Sequence, residues 1–143
     1  AYNDVYGFEN GDRVIVMLAE ILKDVFSKNE FTGHIGGDDF IAISEKKDFR
    51  EKCARVIAEF DGRVKQFYRE EDYEKGYILS RNRRGIEECF PLTSLSVACL
   101  GSRQYSSIYD LSENASRLKK ECKLLEGSNC ICEKDCDIGD KQV

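Results

Sequence analysis

Two glycines followed by two aspartates stand within one short stretch, HIGGDDFIAIS, which runs from His34 to Ser44. Gly36 and Gly37 permit positive φ angles and let a ligand approach the main chain closely. Asp38 and Asp39 supply hard carboxylate oxygens, the ligands that Mg²⁺ prefers. The apolar letters that follow, FIAI, are typical of a buried strand. The stretch therefore predicts a hairpin whose tip holds a metal ion and a phosphorylated ligand.

The composition is that of an ordered globular chain and limits its partners. The 143 residues are 41% hydrophobic and include one proline, so we expect one domain with a real core. No apolar run approaches the roughly 18 residues of a membrane-spanning helix, and the opening residues carry no apolar signal region. The net charge of −5 disfavours binding to nucleic acid or to anionic membranes, which requires basic patches.

The seven cysteines are an odd number and fit no compact disulfide framework, which favours reduced thiols in a cytoplasmic protein. Cys130, Cys132 and Cys136 stand close together near the end of the chain. Their spacing lacks the C-x₂-C pair of common zinc sites. We therefore expect a polar, thiol-bearing tail over residues 133–143 rather than a metal centre there.

Hydrophobic periodicity and turn residues predict the elements that must position these groups. The predicted order is a helix from Gly11 to Phe26, a hairpin of Phe31–Ile35 and Asp39–Ser44, a helix opening at Asp48 with a capping box to Glu51, a charged connection over 68–76, a hairpin of Tyr77–Ser80 and Glu87–Phe90, a strand within 91–100, a helix over Ser107–Leu125, and an edge strand at Asn129–Cys132. This order predicts an α+β sandwich with a mostly antiparallel sheet flanked by helices.

Several stretches at these separations resemble GGDEF domains. YNDVYGFENGD, residues 2–12, resembles their N-D-x-x-G-H-x-x-G-D stretch, and GGDDF, residues 36–40, stands where their signature motif stands. FPLTSLSVACL resembles their later core strand, and LKKECKLLEGSNCI, ending at Ile131, occupies the place of their last helix. The resemblance covers roughly residues 1–131. The wording of GHIGGDDF and FPLTSLS is most similar to a subgroup joined to EAL or CBS domains.

The resemblance implies a palm-like fold shared with nucleotide cyclases and a diguanylate cyclase activity. Two GTP condense to cyclic di-GMP with Mg²⁺ or Mn²⁺ in a homodimer. By position, Asn3 and Asp12 would read the guanine edge, and the backbone of Gly36 and Gly37 would approach the nucleotide. Asp38 would bind metal. Asp39 would be the carboxylate beside the reacting hydroxyl and a second metal ligand.

Two departures from the family pattern bear on activity. Asp39 stands where the motif has glutamate and is one methylene shorter, and a misplacement of about 1 Å can cost on the order of 100-fold in rate. The first metal-binding aspartate of the family, eight residues before Asn3, would fall before Ala1. We therefore expect residues 1–132 to be a GGDEF domain without its first strand, and the isolated chain to make no cyclic di-GMP at a useful rate.

Further departures concern charged side chains. The late lysine and arginine that hold phosphates in the family align with Leu124 and Ser128. The product-inhibition motif R-x-x-D aligns with Ser27 to Glu30, so feedback at that site is not expected. His34, the only histidine, is expected to pack or donate a hydrogen bond on its strand. The basic RNRRG stretch, residues 81–85, is expected to be an exposed turn.

Two alternatives to an active diguanylate cyclase stay open. One is a degenerate GGDEF regulator that binds GTP or a partner domain without catalysis, favoured by Asp39, Leu124 and Ser128. The other is a different GGDD palm-type cyclase, similar to the large subunit of type III CRISPR complexes, which Asn3 and Asp12 disfavour. For a GGDEF parent protein, the expected neighbour is a sensory, EAL or CBS domain.

Overall fold

The computed structural model describes residues 1–45, 48–82, 84–101 and 105–133. The chain forms two compact units, Ala1–Thr93 and Ser94–Val143, and each is described here by itself. This division comes well before the boundary at residue 132 that the sequence predicts. The predicted tail stays a prediction, because residues 134–143 lie outside the described residues. Within the described ranges, no helix is long and apolar enough to cross a membrane.

Helices and short strands alternate along the chain. The elements are α1 (Tyr2–Tyr6), α2 (Phe8–Val25), β1 (Phe31–Gly36), β2 (Asp39–Ile43), α3 (Phe49–Val64), a 3₁₀ turn (Lys65–Phe67), α4 (Glu70–Lys75), β3 (Tyr77–Arg81), β4 (Glu87–Pro91), β5 (Ser96–Cys99), α5 (Ile108–Cys122) and β6 (Asn129–Cys132). The predicted α+β class is confirmed. The described strands form three two-stranded sheets, however, rather than one mostly antiparallel sheet.

The helix α2 is the centre of the first unit. Its buried residues follow the predicted helical spacing: Val14, Met17, Leu18, Ile21, Leu22 and Val25. The helix packs on α3, which buries Val56, Phe60 and Val64. The predicted start at Gly11 is wrong, because α2 begins at Phe8, where Gly7 at φ 84° ends α1 and leads directly into the next helix. Gly11 and Asp12 therefore lie inside the helix.

Two local predictions around α3 and α4 are wrong for electrostatic reasons. Asp48 is the N-cap of α3 as predicted, but its side chain makes no cap hydrogen bond. Its Oδ1 instead lies 3.1 Å from Nζ of Lys52, one turn later. The charged connection after Tyr68 contains α4, whose first turn carries three acidic residues that suit the positive end of a helix dipole.

The hairpin β1–β2 is antiparallel, as predicted, but one of its faces is open. The side chains of Phe31, Ile35 and Ile43 are more than half exposed, at 57%, 69% and 55%. The prediction of a buried β2 is therefore wrong for this face of the described structure. Phe40 and Ala42, on the opposite face of β2, are partly covered.

Tyrosines hold α1 against the segment between α3 and α4. The rings of Tyr2 and Tyr6 stack at 5.0 Å, and both meet the edge of Tyr68. Tyr2 donates its hydroxyl hydrogen to the carbonyl of Phe67 at 2.8 Å, and Tyr6 donates to the carboxylate of Asp72. Burial, and then the neighbouring tyrosines, raise the pKa of Tyr2 to about 12. This cluster fixes the helix that carries Asn3.

We expect Tyr68→Phe to lower the free energy of unfolding of the chain by about 1–2 kcal/mol. The Tyr68 hydroxyl donates to Oγ1 of Thr93 at 2.7 Å and accepts from the Thr93 amide at 2.8 Å, so its removal leaves a backbone donor unsatisfied. Urea unfolding measures the change. The exposed Tyr73 supplies the matched control, Tyr73→Phe, and an equal loss in both variants would contradict the assignment.

In the second unit, α5 connects two parallel strands. Its N-cap Ser107 accepts a hydrogen bond from the Asp110 amide, and its buried residues Leu118 and Cys122 face β5 and β6. A parallel pair needs such a crossover, because the second strand must return to the same end of the sheet. The predicted edge strand Asn129–Cys132 is confirmed as β6.

Candidate functional site

The tip of the β1–β2 hairpin carries the two glycines and the two aspartates. The strands pair from Phe31 opposite Ile43 to Gly36 opposite Asp39, with an irregularity after His34. Gly36 and Gly37 have φ angles of 148° and 58°, in the region that glycine tolerates best. A Cβ at either position would meet nothing within 4 Å. Backbone conformation therefore explains both glycines, and the main chain at the tip is open to an approaching ligand.

His34, on β1, contacts the turn at the tip of the hairpin. Its Nε2 lies 2.9 Å from the carbonyl oxygen of Gly37, which can only accept, and its ring stacks on Phe40 at 4.5 Å. The predicted role in packing and hydrogen bonding is confirmed. Because that nitrogen is committed to the turn, His34 shapes the loop on which Asp38 stands.

Asp38 is exposed in the turn, and Asp39 is half-buried at the first position of β2. Within the described ranges, no group of three carboxylates or histidines close enough to surround a metal includes them. Two carboxylates on an open tip fit Mg²⁺, which keeps several waters and takes phosphate oxygens as further ligands. The donor set thus suits a metal that arrives with a phosphorylated ligand.

Asn3 lies on α1 and Asp12 near the start of α2. A Cβ built on Gly11 would lie 2.2 Å from Oδ1 of Asn3, so the amide rests directly against the Gly11 backbone, one residue from Asp12. Asn3 and Asp12 are both exposed. An amide that donates and accepts, beside a carboxylate that accepts, suits the edge of a base such as guanine. The structural need for Gly11 is new, because the predicted helix start had hidden this contact.

The predicted site residues thus form two pairs on different elements. Asn3 lies against Gly11, which precedes Asp12 in α2, and Asp38 and Asp39 share the hairpin tip. The helix α2, which contains Asp12, is followed in the chain by β1, which ends at Gly36 beside Asp38 and Asp39.

An ionic cluster, defined by Ser27, Glu30, Ser44 and Lys52, closes the base of the hairpin. The Glu30 carboxylate, whose side chain is 3% exposed, accepts hydrogen bonds from Nζ of Lys52, from Oγ of Ser44 and from the amide of Ser27. The Lys52 hydrogen bond, followed by those of Ser44 and Ser27, holds the pKa of Glu30 well below its usual range. The cluster ties β1, β2 and α3 together.

The comparison with protein families decides the identity of the first unit. The family described as "Diguanylate cyclase, GGDEF domain" matches residues 1–76, more than half of the chain. The chain belongs to the GGDEF family. The matched range contains both pairs of predicted site residues and ends at Gly76, the C-cap of α4. It is shorter than the resemblance, which we expected to reach Ile131.

A curated relative shares part of this sequence. A protein of Vibrio cholerae named "Diguanylate cyclase" is 40% identical over 43 residues. Those residues make up 30% of this chain and 13% of the relative, so the similarity spans a small part of that protein's length. No solved structure matches this chain.

Two residues of the second unit, which the sequence resemblance aligns with the family's late lysine and arginine, lie beyond the range that the family matches. Leu124 is 86% exposed just after α5. Ser128 accepts a hydrogen bond from the Leu95 amide at 2.9 Å. In the first unit, Arg81 and Arg84 are exposed in the basic turn as predicted, while Arg83 lies outside the described residues.

Sequence reasoning missed Lys52, the partner of Glu30. The signal was present, because Lys52 lies one turn before Val56 on the buried face of α3, where a lysine is out of place without a counterion. The partner itself is 22 residues away and could not be named from spacing.

Proposed function

We propose that this chain supplies the nucleotide-binding and metal-binding residues of a diguanylate cyclase, which condenses two GTP to cyclic di-GMP and releases two pyrophosphates. The observation that carries the proposal is the hairpin tip, where the open backbone of Gly36 and Gly37 adjoins the carboxylates of Asp38 and Asp39. Phosphates need close backbone approach together with a metal to neutralise their charge.

In this proposal, the carboxylates of Asp38 and Asp39 hold Mg²⁺ or Mn²⁺, which supplies charge neutralisation at the triphosphate. Asp39 also accepts a hydrogen bond from the 3′-hydroxyl that attacks the α-phosphate. Its place at the start of β2 supports this role, because a strand fixes a side chain more firmly than a free loop. The contact of His34 with Gly37 keeps the turn in one shape while the nucleotide binds.

Asn3 and Asp12 select guanine in this proposal. The Asp12 carboxylate accepts from the N1–H and exocyclic amino group of guanine, and the Asn3 amide both donates and accepts. Adenine presents a different donor and acceptor order, so it would leave these polar groups badly matched. We therefore expect GTP to bind in preference to ATP.

Catalysis requires two such domains, because each holds one GTP and the two nucleotides react with each other. We propose a homodimer brought together by a neighbouring sensory, EAL or CBS domain. A GTP substrate places the reaction in the cytoplasm. Nucleic acid and direct membrane insertion have no part in this proposal.

The test uses two proteins: residues 1–143 alone, and the same residues joined at their N-terminus to the first strand and a dimerising segment of a working GGDEF domain. Both are incubated with GTP and Mg²⁺, and nucleotide products are separated by chromatography and identified by mass. We expect cyclic di-GMP from the extended dimer and none at a useful rate from the chain alone. An Asp38→Asn, Asp39→Asn double variant of the extended dimer is the matched control.

A second candidate function is a GGDEF regulator that binds GTP without turning it over. The exposed Leu124 and the hydrogen bond of Ser128 to Leu95 favour it, because neither side chain brings a cation to phosphate. Unchanged GTP with a folded, dimeric protein would favour the regulator over the cyclase. A cyclic product from ATP instead would favour the other GGDD palm-type cyclase.

Gly11→Ala is expected to weaken GTP binding about tenfold while leaving the fold intact or slightly more stable. The added methyl group would lie 2.2 Å from Oδ1 of Asn3 and must displace that amide, although alanine is the better helix former. Gly62→Ala in α3 is the matched control, because a Cβ there meets nothing within 4 Å. Binding is measured with a fluorescent GTP analogue and stability by urea unfolding. Equal affinities of the two variants for the GTP analogue would contradict the proposed role of Asn3 in binding guanine.

A further inference from the structure

An exposed aromatic side chain lies at the start of α2, one helical turn before Asp12. Phe8 is the first residue of that helix, and 75% of its surface is exposed. The buried residues of α2 begin at Val14, on the side of the helix that packs on α3, so Phe8 is not part of the core. A ligand that covers such an apolar ring gains the free energy of removing it from water.

Phe8 lies on the same side of α2 as the two groups proposed to contact guanine. Residues three and four positions apart are neighbours on a helix surface, so Phe8, Gly11 and Asp12 share one side of the first turns. The Asn3 amide rests against Gly11, where an added Cβ would overlap its Oδ1. An aromatic ring, an amide and a carboxylate therefore adjoin on this side of α2, and all three side chains are exposed.

The other aromatic and cationic side chains of residues 1–13 are engaged elsewhere. The rings of Tyr2 and Tyr6 stack on each other at 5.0 Å within the tyrosine cluster that fixes α1. The Arg13 guanidinium lies over the ring of Phe67, 5.4 Å from its centre. The ring of Phe8 is therefore the planar group of this stretch that stands open to a ligand.

Building on the proposed function, we propose that the ring of Phe8 stacks on the guanine base of bound GTP while Asn3 and Asp12 contact the edge of that base. Hydrogen bonds to the edge lie in the plane of the base and leave its two faces open. A ring stacked on one face adds affinity for any base, because every base has a π-face. Phe8 thus supplies affinity, and Asn3 and Asp12 supply the selectivity for guanine.

The first test replaces Phe8 in residues 1–143 and measures GTP binding with Mg²⁺ by calorimetry. Phe8→Ala is expected to weaken binding about tenfold, and Phe8→Leu nearly as much, because leucine is apolar but has no π-face. Phe8→Tyr should keep the affinity, whereas a merely structural role at the start of α2 would be served by leucine as well. Phe31→Ala is the matched control, because Phe31 is also exposed, at 57%, and lies at the end of the hairpin away from its tip.

A second test reports the stacking directly. The chain contains no tryptophan, so Phe8→Trp introduces a single indole whose fluorescence can be followed alone. GTP should quench that fluorescence, since the stacked base lies against the indole, and inorganic triphosphate, which has no base, should not. In the control Phe31→Trp, neither compound should change the fluorescence.

The preference for GTP over ATP separates stacking from the edge contacts. Phe8→Ala should leave this preference within about twofold of the parent's, because stacking accepts any base, and Asn3→Ala should reduce it. GTP that binds Phe8→Ala as tightly as the parent, or binds Phe8→Trp without quenching, would overturn the stacking role of Phe8 alone. A parent chain that binds no GTP would overturn the proposed function and the stacking role together.

Discussion

Replacing Asp39 with glutamate is expected to raise the rate of cyclic di-GMP formation by about 100-fold in the N-terminally extended dimer. Asp39 stands at the first position of β2, opposite Gly36, where the strand fixes its Cα. Its carboxylate therefore ends one methylene short of the place that glutamate reaches in the family motif. The backbone cannot advance to compensate, because the hairpin register and the His34 contact with Gly37 hold the turn.

The gain is expected in kcat, with the affinity for GTP changed less than about twofold, because the proposed guanine contacts of Asn3 and Asp12 and the open backbone of Gly36 and Gly37 stay unchanged. Initial rates over a range of GTP concentrations separate the two quantities. Asp39→Asn is the control that keeps the length and removes the charge, and it should abolish turnover. Asp38→Glu should also reduce the rate, since the turn places that carboxylate independently of β2. An Asp39→Glu variant no faster than the parent would show that aspartate already reaches the reacting hydroxyl.

The hairpin tip is the part of the site that sequence reasoning predicted best, and the reason is that its information is local. Gly36 and Gly37 are needed by the turn itself, and Asp38 and Asp39 follow directly in the chain. The sequence correctly predicted that β2 is a strand. It wrongly predicted that the strand is buried, because Ile41 and Ile43 are exposed. Apolar residues in a strand pattern do not show whether another element covers that face.

The contact between Asn3 and Gly11 needed the structure, because it depends on where two helices begin. Periodicity located α2 from its buried residues but put its start at Gly11 and missed α1, a five-residue helix too short to show a pattern. Gly7, with its positive φ, ends α1 and changes the chain direction before α2. Asn3 on α1 then lies against Gly11 on α2. A glycine inside a helix destabilises it, so the presence of Gly11 in α2 was the one sign in the sequence that another group lies against this position.

The contact between Glu30 and Lys52 lay beyond sequence reasoning for a different reason. Sequence spacing predicts partners within one helix or across one hairpin, and these two residues come from the start of a strand and the first turn of a later helix. Only tertiary packing brings them together. The sequence comparison treated Ser27 to Glu30 only as the place of a product-inhibition motif without its arginine. It did not show that Glu30 pairs with Lys52.

Glu30→Gln is expected to lower the melting temperature of the chain by about 10 °C at neutral pH. The substitution keeps the shape of the side chain and removes its charge, so Lys52, which is 9% exposed, loses its buried counterion and keeps only Asp48. Glu51→Gln is the matched control, because Glu51 lines the same cleft on the exposed side of α3. The control should shift the melting temperature by no more than about 2 °C.

The pH dependence of the destabilisation by Glu30→Gln provides a second test of the ionic cluster. Because the pKa of Glu30 is lowered by folding, its stabilisation is fully present above the unfolded value, near pH 4.5, and is lost as the pH falls towards the folded value. Burial lowers the pKa of Lys52, but its hydrogen bonds to Glu30 and Asp48 outweigh that and leave it raised. Lys52 therefore stays charged throughout this range, and the gap between parent and Glu30→Gln should narrow from pH 5 to pH 3.

A double variant separates the ion pair from its packing. Lys52→Met alone removes the cation beside the Glu30 carboxylate and leaves that charge buried next to Ser44 and the Ser27 amide, so it too should destabilise the chain. Glu30→Gln with Lys52→Met removes both charges and should cost clearly less than the sum of the two single changes, because neither charge is then left alone. Additive losses would show that the two side chains act separately. The cluster would then stabilise the base of the hairpin through packing, and the tip that carries Asp38 and Asp39 would not depend on the charge of Glu30.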